Sequence, residues 1–534
     1  MQFNPYQYRY PSQRNLVYSN RGVVATSSPY ASSIGLDILK RGGNAVDAAV
    51  AVAAALTVAE PSANGIGGDL FAQVYMNRQL YGLNASGRAP ALMTHSSLAE
   101  KGKIISTVGF DGVSVPGIPS GWAALNERFG TLSLETLMEP AAQLAEQGFA
   151  VPIQVSLALE RYHGLFQAKK DAYPVLGNWF TTFSPNGVLM PGEVLILKDH
   201  AKALRAIGKT GAKSFYEGEI AEAIDRFSKE FGGFLRYEDL KNHQVEWVTP
   251  ISLDYRGYKV YELPPNGIGL IALMGLNTLE ALPVDPSDKL GLLHQQMESM
   301  KLAFTDGLAV IGDPAFTSLD LRSYLSKEYG RKRSSLISDQ ALMPQPSEPL
   351  GGSTVYFCVG DQWGNMVSLI QSCFTGFGSG CVVPEWGISL HNRASQFSLD
   401  ENHPNCVHPG KRPFHTIIPG FLGQGVRMIG PFGVMGGPLQ PQAHLQVISS
   451  LIDQQCNPQE ALDAPRWQWV SGRHIQVELR MDPALIAGLR AKGHAIEVLP
   501  DKTTLGRGQI IFRQGNGVYV GATEGRTDSS IAIW

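Results

Sequence analysis

Two kinds of hydrophobic patterning divide the chain. In the first half, apolar positions are spaced for helices. Ala31 to Lys40 has this spacing until Gly42-Gly43 stops it. Asn44 can cap a second helix, whose Ala-rich body from Ala45 to Ala59 lets other elements pack closely against it. Further helices are predicted over residues 118–130, 133–148, 199–208, 218–230 and 289–306. Strands are few in this half. Residues 22–29 read as a short buried strand ending in a turn, and Phe71 to Tyr75 and Leu80 to Leu83 as two strands joined by Asn77-Arg78. Asp254 to Tyr261 reads as a strand entering Pro264-Pro265-Asn266-Gly267.

From Arg331 to Gly352 the chain turns polar and Pro-rich, the composition of an exposed connection. Beyond it the pattern changes to strands and Gly-rich turns. Gly351-Gly352-Ser353-Thr354 opens a β-branched and aromatic run, Val355-Tyr356-Phe357-Cys358. Asp361-Gln362-Trp363-Gly364-Asn365 is turn chemistry, and Met366 to Ile370 is a second strand, so a hairpin is predicted. If that hairpin is symmetric about Trp363, Thr354 faces Ser372 within hydrogen-bonding reach. Helices are predicted at 441–453, 457–463 and 482–492, and a closing hairpin at Gly515-Asn516-Gly517. Helices around stacked sheets imply an α/β chain of layered αββα architecture.

A chain of 534 residues can bury a large core. Its net charge is −3, 17% of its residues are charged, and its longest Lys/Arg block is Arg331-Lys332-Arg333, so nucleic acid is an unexpected partner. Met1 to Arg14 is polar and aromatic, unlike a signal peptide, and the longest apolar run, Ala48 to Ala59, is too short to span a bilayer. The expectation is a soluble cytoplasmic protein without a membrane partner. Cys358, Cys373, Cys381, Cys406 and Cys456 form no Cys-x-x-Cys pair, so neither a disulfide framework nor a metal site is expected. Asn64 to Asp69 is glycine-rich but follows a helix and lacks dinucleotide-binding spacing, so it reads as a tight turn.

The chemistry is concentrated at Thr354. Cleavage between Ser353 and Thr354 leaves a hydroxyl and a free amine on one residue. An α-amine titrates near ~8 and can take the hydroxyl proton, so that residue is a nucleophile with its own base. The plain alternative is a loop entering a strand.

Over residues 20–534 the sequence resembles the gamma-glutamyltransferase family of N-terminal nucleophile hydrolases. The resemblance is carried by Gly42 to Ala49, Gly65-Ile66-Gly67-Gly68-Asp69, Asp254 to Tyr258, Gly312-Asp313-Pro314, Phe377 to Gly380, Lys411-Arg412-Pro413 and Gly436-Gly437. It implies a four-layer αββα sandwich formed jointly by two subunits of a self-cleaved precursor, a large one (1–353) and a small one (354–534). They would stay together as a heterodimer, or pair into a dimer of heterodimers, without a cofactor. Thr354 would be the nucleophile and Ser372 the hydroxyl bonded to it. Gly436 and Gly437 fall at the family's oxyanion hole, where residues without Cβ let N–H groups approach closely; alone, the pair reads as a turn.

Where the family holds a glutamyl head with Asn, Gln, Asp and a Ser-Ser pair, this chain has Phe374, Arg393, Gln396 and His415-Thr416. Arg88 lies near the position of the family's carboxylate-binding Arg, with a spacing to Pro90 that differs by two residues. These departures resemble a cytoplasmic branch that includes oxamate amidohydrolase of purine breakdown. The expected function is therefore hydrolysis of a small anionic amide, best exemplified by oxamate. The alternatives are a gamma-glutamyltransferase or glutathione hydrolase and, in another class, an unprocessed scaffold protein. Arg393 is expected to grip a carboxylate, the alternative being a solvent-facing side chain or a pair with Asp400.

Overall fold

A computed structural model describes residues 14–344, 353–500 and 505–534. Gly351-Gly352 and residues 345–350 of the polar connection lie outside the described residues. Two antiparallel seven-stranded sheets stack on each other. The inner order of the first is Ser530–Ile533, Val23–Thr26, Ser353–Gly360, Met366–Phe374, Asp69–Met76, Gln79–Ala85 and Glu246–Val248. The second runs Val17–Ser19, Tyr519–Thr523, Arg507–Arg513, Arg427–Met435, Gly420–Gln424, Tyr258–Glu262 and Ile251–Tyr255. Both sheets pair strands from before the Ser353–Thr354 bond with strands from after it, so breaking that bond leaves the two pieces joined by ladder hydrogen bonds.

Helices cover each outer face, completing a four-layer αββα sandwich. Ala45–Ala59 is buried along its whole length and packs on the central hairpin of the first sheet, with Pro29–Lys40, Ile118–Phe129 and Leu134–Gln147 beside it. Small side chains allow this depth, because an alanine surface lets neighbouring backbones come close. Gly269–Glu280, Lys289–Val310 and Leu439–Ile452 build a second core over the other sheet. No helix among the described residues is long and apolar enough to cross a membrane.

Local chemistry fixes the central hairpin. The Asn44 side chain accepts from Val46 N and Asp47 N, and Asp47 returns a bond to Asn44 N, a complete capping box at the start of the buried helix. Asp361 is buried, and its carboxylate accepts from Trp363 N, Asn365 N and Asn365 Nδ2 inside the hairpin turn. The same carboxylate accepts from Ala45 N at 2.9 Å. One side chain thus shapes the turn and fixes it to the helix N-terminus, where a negative charge is favoured.

Two features depart from the sequence pattern. Residues 254–261 form two strands, Ile251–Tyr255 and Tyr258–Glu262, because Arg256 and Gly257 adopt φ of 46° and 83° and turn the chain back on itself. Helices Ile153–Gln167 and Gly269–Glu280 carry no clear amphipathic signal and were not expected.

Asp361→Ala is expected to lower the unfolding free energy by about 3 kcal/mol, since it orphans several buried N–H donors at once. Urea denaturation measures the loss; a change below about 0.5 kcal/mol contradicts this role.

Candidate active site

The hairpin keeps the expected register from Gly360↔Met366 to Val355↔Gln371. Beyond that pair a bulge intervenes, since the next partners are Ser353 and Phe374. Ser372 and Cys373 therefore stand opposite the single residue Thr354, and the bulge aims Ser372 at it. Thr354 Oγ1 donates to Ser372 Oγ at 3.1 Å, and Ser372 Oγ donates to the carbonyl oxygen of Ser353 at 2.6 Å. Phe374 N donates to the same Ser372 oxygen at 2.8 Å. Two hydroxyls thus form a chain that ends on the carbonyl one bond before Thr354. Both side chains are buried, which strengthens each bond.

Behind Ser372 lies a polar core. Asp69 is its ladder partner on the neighbouring strand. Gly68 allows this approach, because a Cβ there would stand 2.5 Å from Ser372 O. The Asp69 carboxylate accepts from Gly87 N, lies 3.0 Å from His415 Nε2 and 3.3 Å from His391 Nδ1. Burial disfavours its charge, but the two imidazoles outweigh this and hold its carboxyl far below the usual range. His415 is pulled down to about 3 by burial and by Arg393, so its ring is neutral. Its Nδ1 accepts from Ile417 N, which assigns the remaining proton to Nε2, facing Asp69.

Arg393 is fully buried and so does not face solvent, and among the described residues it makes no ion pair with Asp400. Its Nη1 donates to Thr416 Oγ1 at 2.9 Å, and its guanidinium lies 4.5 Å from the centre of the Phe374 ring. Nε and Nη2, the edge that grips a carboxylate with two parallel bonds, have no hydrogen-bond partner among the described residues. Burial lowers its pKa to about 10, which keeps it charged at neutral pH. Phe374 adopts φ of 74°, a strained value for an aromatic residue. That conformation sets its N–H on Ser372 and its ring against Arg393.

Thr354 also borders a cavity of about 580 Å³ lined by Ser353, Thr375, Gly436 and residues of the helix Ile153–Gln167. Gly436 and Gly437 join the strand Arg427–Met435 to the helix Leu439–Ile452, with φ of 143° and 62°. Leu439 N and Gln440 N bond to their carbonyls, which directs those carbonyls toward the helix. A Cβ on Gly436 would lie 3.2 Å from the Gly506 Cα. Gly506 is itself held by Arg466, whose Nη1 donates to the carbonyls of Leu505 and Gly506. Arg466 pairs with Glu524, which burial opposes but Arg466 and Arg526 hold down to about 2.

Thr354, Ser372, Phe374, Arg393, His415, Thr416 and Gly436 are thus brought together. Arg88 sits in a different knot: it pairs with Asp313 and Glu246 and donates to Gly410 O, while Arg412 pairs with the same Glu246. The Gln396 carbonyl accepts from Asn405 Nδ2, and its buried side-chain oxygen has no partner among the described residues. Asp69 and His391 were not singled out as site residues; the glycine run ending at Asp69 was their one sequence signal. Away from the site, His294, Glu298 and His494 have metal-ligand chemistry, but Lys301 Nζ stands 2.6 Å from Glu298 and supplies the cation. The five cysteines are free.

The profile of the gamma-glutamyltranspeptidase family matches residues 31–534. The chain belongs to this family. It is an enzyme with the family's N-terminal nucleophile hydrolase architecture. The glutathione hydrolase-like YwrD proenzyme of Bacillus subtilis is 36% identical over 96% of this chain and 99% of its own length. The oxamate amidohydrolase proenzyme of Klebsiella pneumoniae is 32% identical over 96% of this chain and 98% of its own. The crystal structure of a cephalosporin acylase from Bacillus halodurans superposes with a TM-score of 0.96 at 46% identity, covering 100% of this chain and 99% of that one.

Wild-type protein is expected to run on a denaturing gel as two co-purifying bands, and Thr354→Ala as one band of full length. Ser372→Ala removes both bonds of the hydroxyl chain and should slow the appearance of the two bands at least about tenfold. Processing at the wild-type rate in Ser372→Ala contradicts this geometry.

Proposed function

We propose that the protein is a self-processing amidohydrolase that uses Thr354 first against its own chain and then against an amide whose acyl group carries a carboxylate. In the first stage Thr354 Oγ1 attacks the Ser353 carbonyl carbon. Its proton passes to Ser372 Oγ as the Ser372 proton passes to the carbonyl oxygen, so the tetrahedral adduct forms without net charge. The adduct's hydroxyl proton passes to the Thr354 nitrogen as the C–N bond breaks, which leaves an ester and a free amine, and water then cleaves the ester to a Ser353 carboxylate and the Thr354 hydroxyl.

In the second stage that amine accepts the Thr354 hydroxyl proton as the oxygen attacks the substrate carbonyl. Gly436 and Gly437 N–H groups hold the oxyanion beside the positive end of the Leu439–Ile452 helix. The amine then gives its proton to the departing nitrogen, and water clears the acyl-enzyme.

The observation that carries the substrate class is the unpartnered Nε and Nη2 edge of buried Arg393. An unsatisfied guanidinium in a protein interior is costly, and a substrate carboxylate would satisfy it bidentately. A gamma-glutamyl head also brings an ammonium, and at the position of the family's Asp this chain has neutral Gln396. Oxamate is the smallest amide of the favoured class. The glutathione hydrolase names among the relatives support the competing gamma-glutamyl reading.

The deciding assay compares ammonia release from oxamate with cleavage of a gamma-glutamyl anilide, in wild type and in Arg393→Met. Wild type should prefer oxamate, and Arg393→Met should lose that activity. The same substitution should raise stability by about 1–3 kcal/mol, because it removes buried unsatisfied donors. Preferred cleavage of the anilide by wild type, or oxamate turnover unaffected in Arg393→Met, overturns the assignment.

A further inference from the structure

Arg393 and the hydroxyl that holds it come from separate loops, and both loops are tied to one carboxylate. Asp69 is fully buried at the start of the strand Asp69–Met76. Its Oδ1 accepts from Gly87 N at 3.0 Å, and its Oδ2 lies 3.0 Å from His415 Nε2 and 3.3 Å from His391 Nδ1. Each imidazole is anchored at its other nitrogen. His391 Nε2 donates to the carbonyl oxygen of Ser114 at 2.9 Å, and His415 Nδ1 accepts from Ile417 N. Arg393 follows His391 by two residues, and Thr416 follows His415 by one. Because Arg393 Nη1 donates to Thr416 Oγ1, a path that leaves Asp69 along one loop returns to it along the other. A buried ring of this kind leaves the guanidinium little freedom. The backbone of the same residue sets a second relation: Asp69 is the ladder partner of Ser372, which bonds Thr354. Its charge also favours the ionised form of Arg393 against burial.

We propose that Asp69 is the positioning residue of the acyl site: through His391 and His415 it sets the unpartnered Nε and Nη2 edge of Arg393 at a fixed place relative to Thr354, without touching substrate itself. The inference rests on the reading that this edge takes a substrate carboxylate. A small acid has no flexible chain with which to follow a displaced guanidinium, so a shift in Arg393 loses both bonds of the fork together. Asp69 precedes the Ser353–Thr354 bond, and His391, Arg393, His415 and Thr416 follow it. Both halves of the chain therefore build the site. A bare anion here would repel an incoming carboxylate, but two imidazoles and a backbone N–H surround Asp69. Position outweighs repulsion, and loss of the Asp69 charge weakens substrate binding instead of strengthening it.

The test is ammonia release from matched amides that differ only in the acyl carboxylate: oxamate against pyruvamide, and succinamate against butanamide. The readout is the ratio of kcat/KM within a pair. Wild type should favour the acid of whichever pair it turns over by at least about a hundredfold. Asp69→Asn keeps the shape of the side chain and removes its charge, and it should lower that ratio at least about tenfold, chiefly through a higher KM for the acid. The neutral amide should be nearly unaffected. A merely structural role would slow both members of a pair together and leave the ratio in place. Two bands on a denaturing gel report that a variant has folded. Where Asp69→Asn fails to give them, His391→Gln carries the same test, since it keeps an N–H for the Ser114 carbonyl and cuts one tie to Asp69. A ratio retained or raised in the folded variant overturns the positioning role and leaves the reading of Arg393 standing. A wild-type ratio near one, or no turnover of either pair, overturns the reading of Arg393 and this inference with it.

Discussion

The hydroxyl of Ser372 is the constraint on which the rest of the site depends. It accepts from Thr354 and from Phe374 N and donates to the Ser353 carbonyl, which uses its full capacity of one donor and two acceptor positions. A buried hydroxyl saturated in this way has little freedom. It fixes the Thr354 side chain, the Ser353 carbonyl and the strained backbone of Phe374 relative to one another. The bulge supplies the position, and the glycine at 68 lets the Asp69 strand close behind it. Asp361, at the far end of the hairpin, holds the register that brings the two strands to this point.

Charge in the interior follows a consistent division. Asp69 has two imidazoles and a backbone N–H around it, and Glu524 has two arginines, so both are compensated. Arg393 has one hydroxyl and an aromatic face, and among the described residues two of its three guanidinium nitrogens are unmatched. Arg161 and Arg507 line an open cavity that Thr354 also borders.

Much of this was legible in the chain. The turn Asp361 to Asn365, flanked by β-branched runs, gave the hairpin, and its symmetry gave the pairing of Thr354 with Ser372. Asn44 announced its helix by capping chemistry. The four-layer arrangement followed from helices before and strands after a polar connection. Other parts were hidden for physical reasons. Gly269–Glu280 is buried on all sides, so its apolar run has no period to read. Ile153–Gln167, which carries Arg161 and Tyr162, reads Ile-Gln-Val-Ser-Leu-Ala-Leu, an alternation closer to a strand than to a helix. Arg88 belongs to a knot with Asp313, Glu246 and Arg412, residues distant in sequence, and only the tertiary fold unites them. The bulge that aims Ser372 likewise depends on the pairing of two strands rather than on either alone.

The central claim is that one hydroxyl, on Thr354, performs both self-cleavage and amide hydrolysis. Intact-mass spectrometry of acid-quenched enzyme, taken within the first turnovers on an anionic amide, tests it most directly. The account predicts a fragment whose mass begins at Thr354, together with the same fragment increased by one acyl group, located by fragmentation on the first residue. A small fragment that begins elsewhere, or an acyl group carried by another residue, would contradict it.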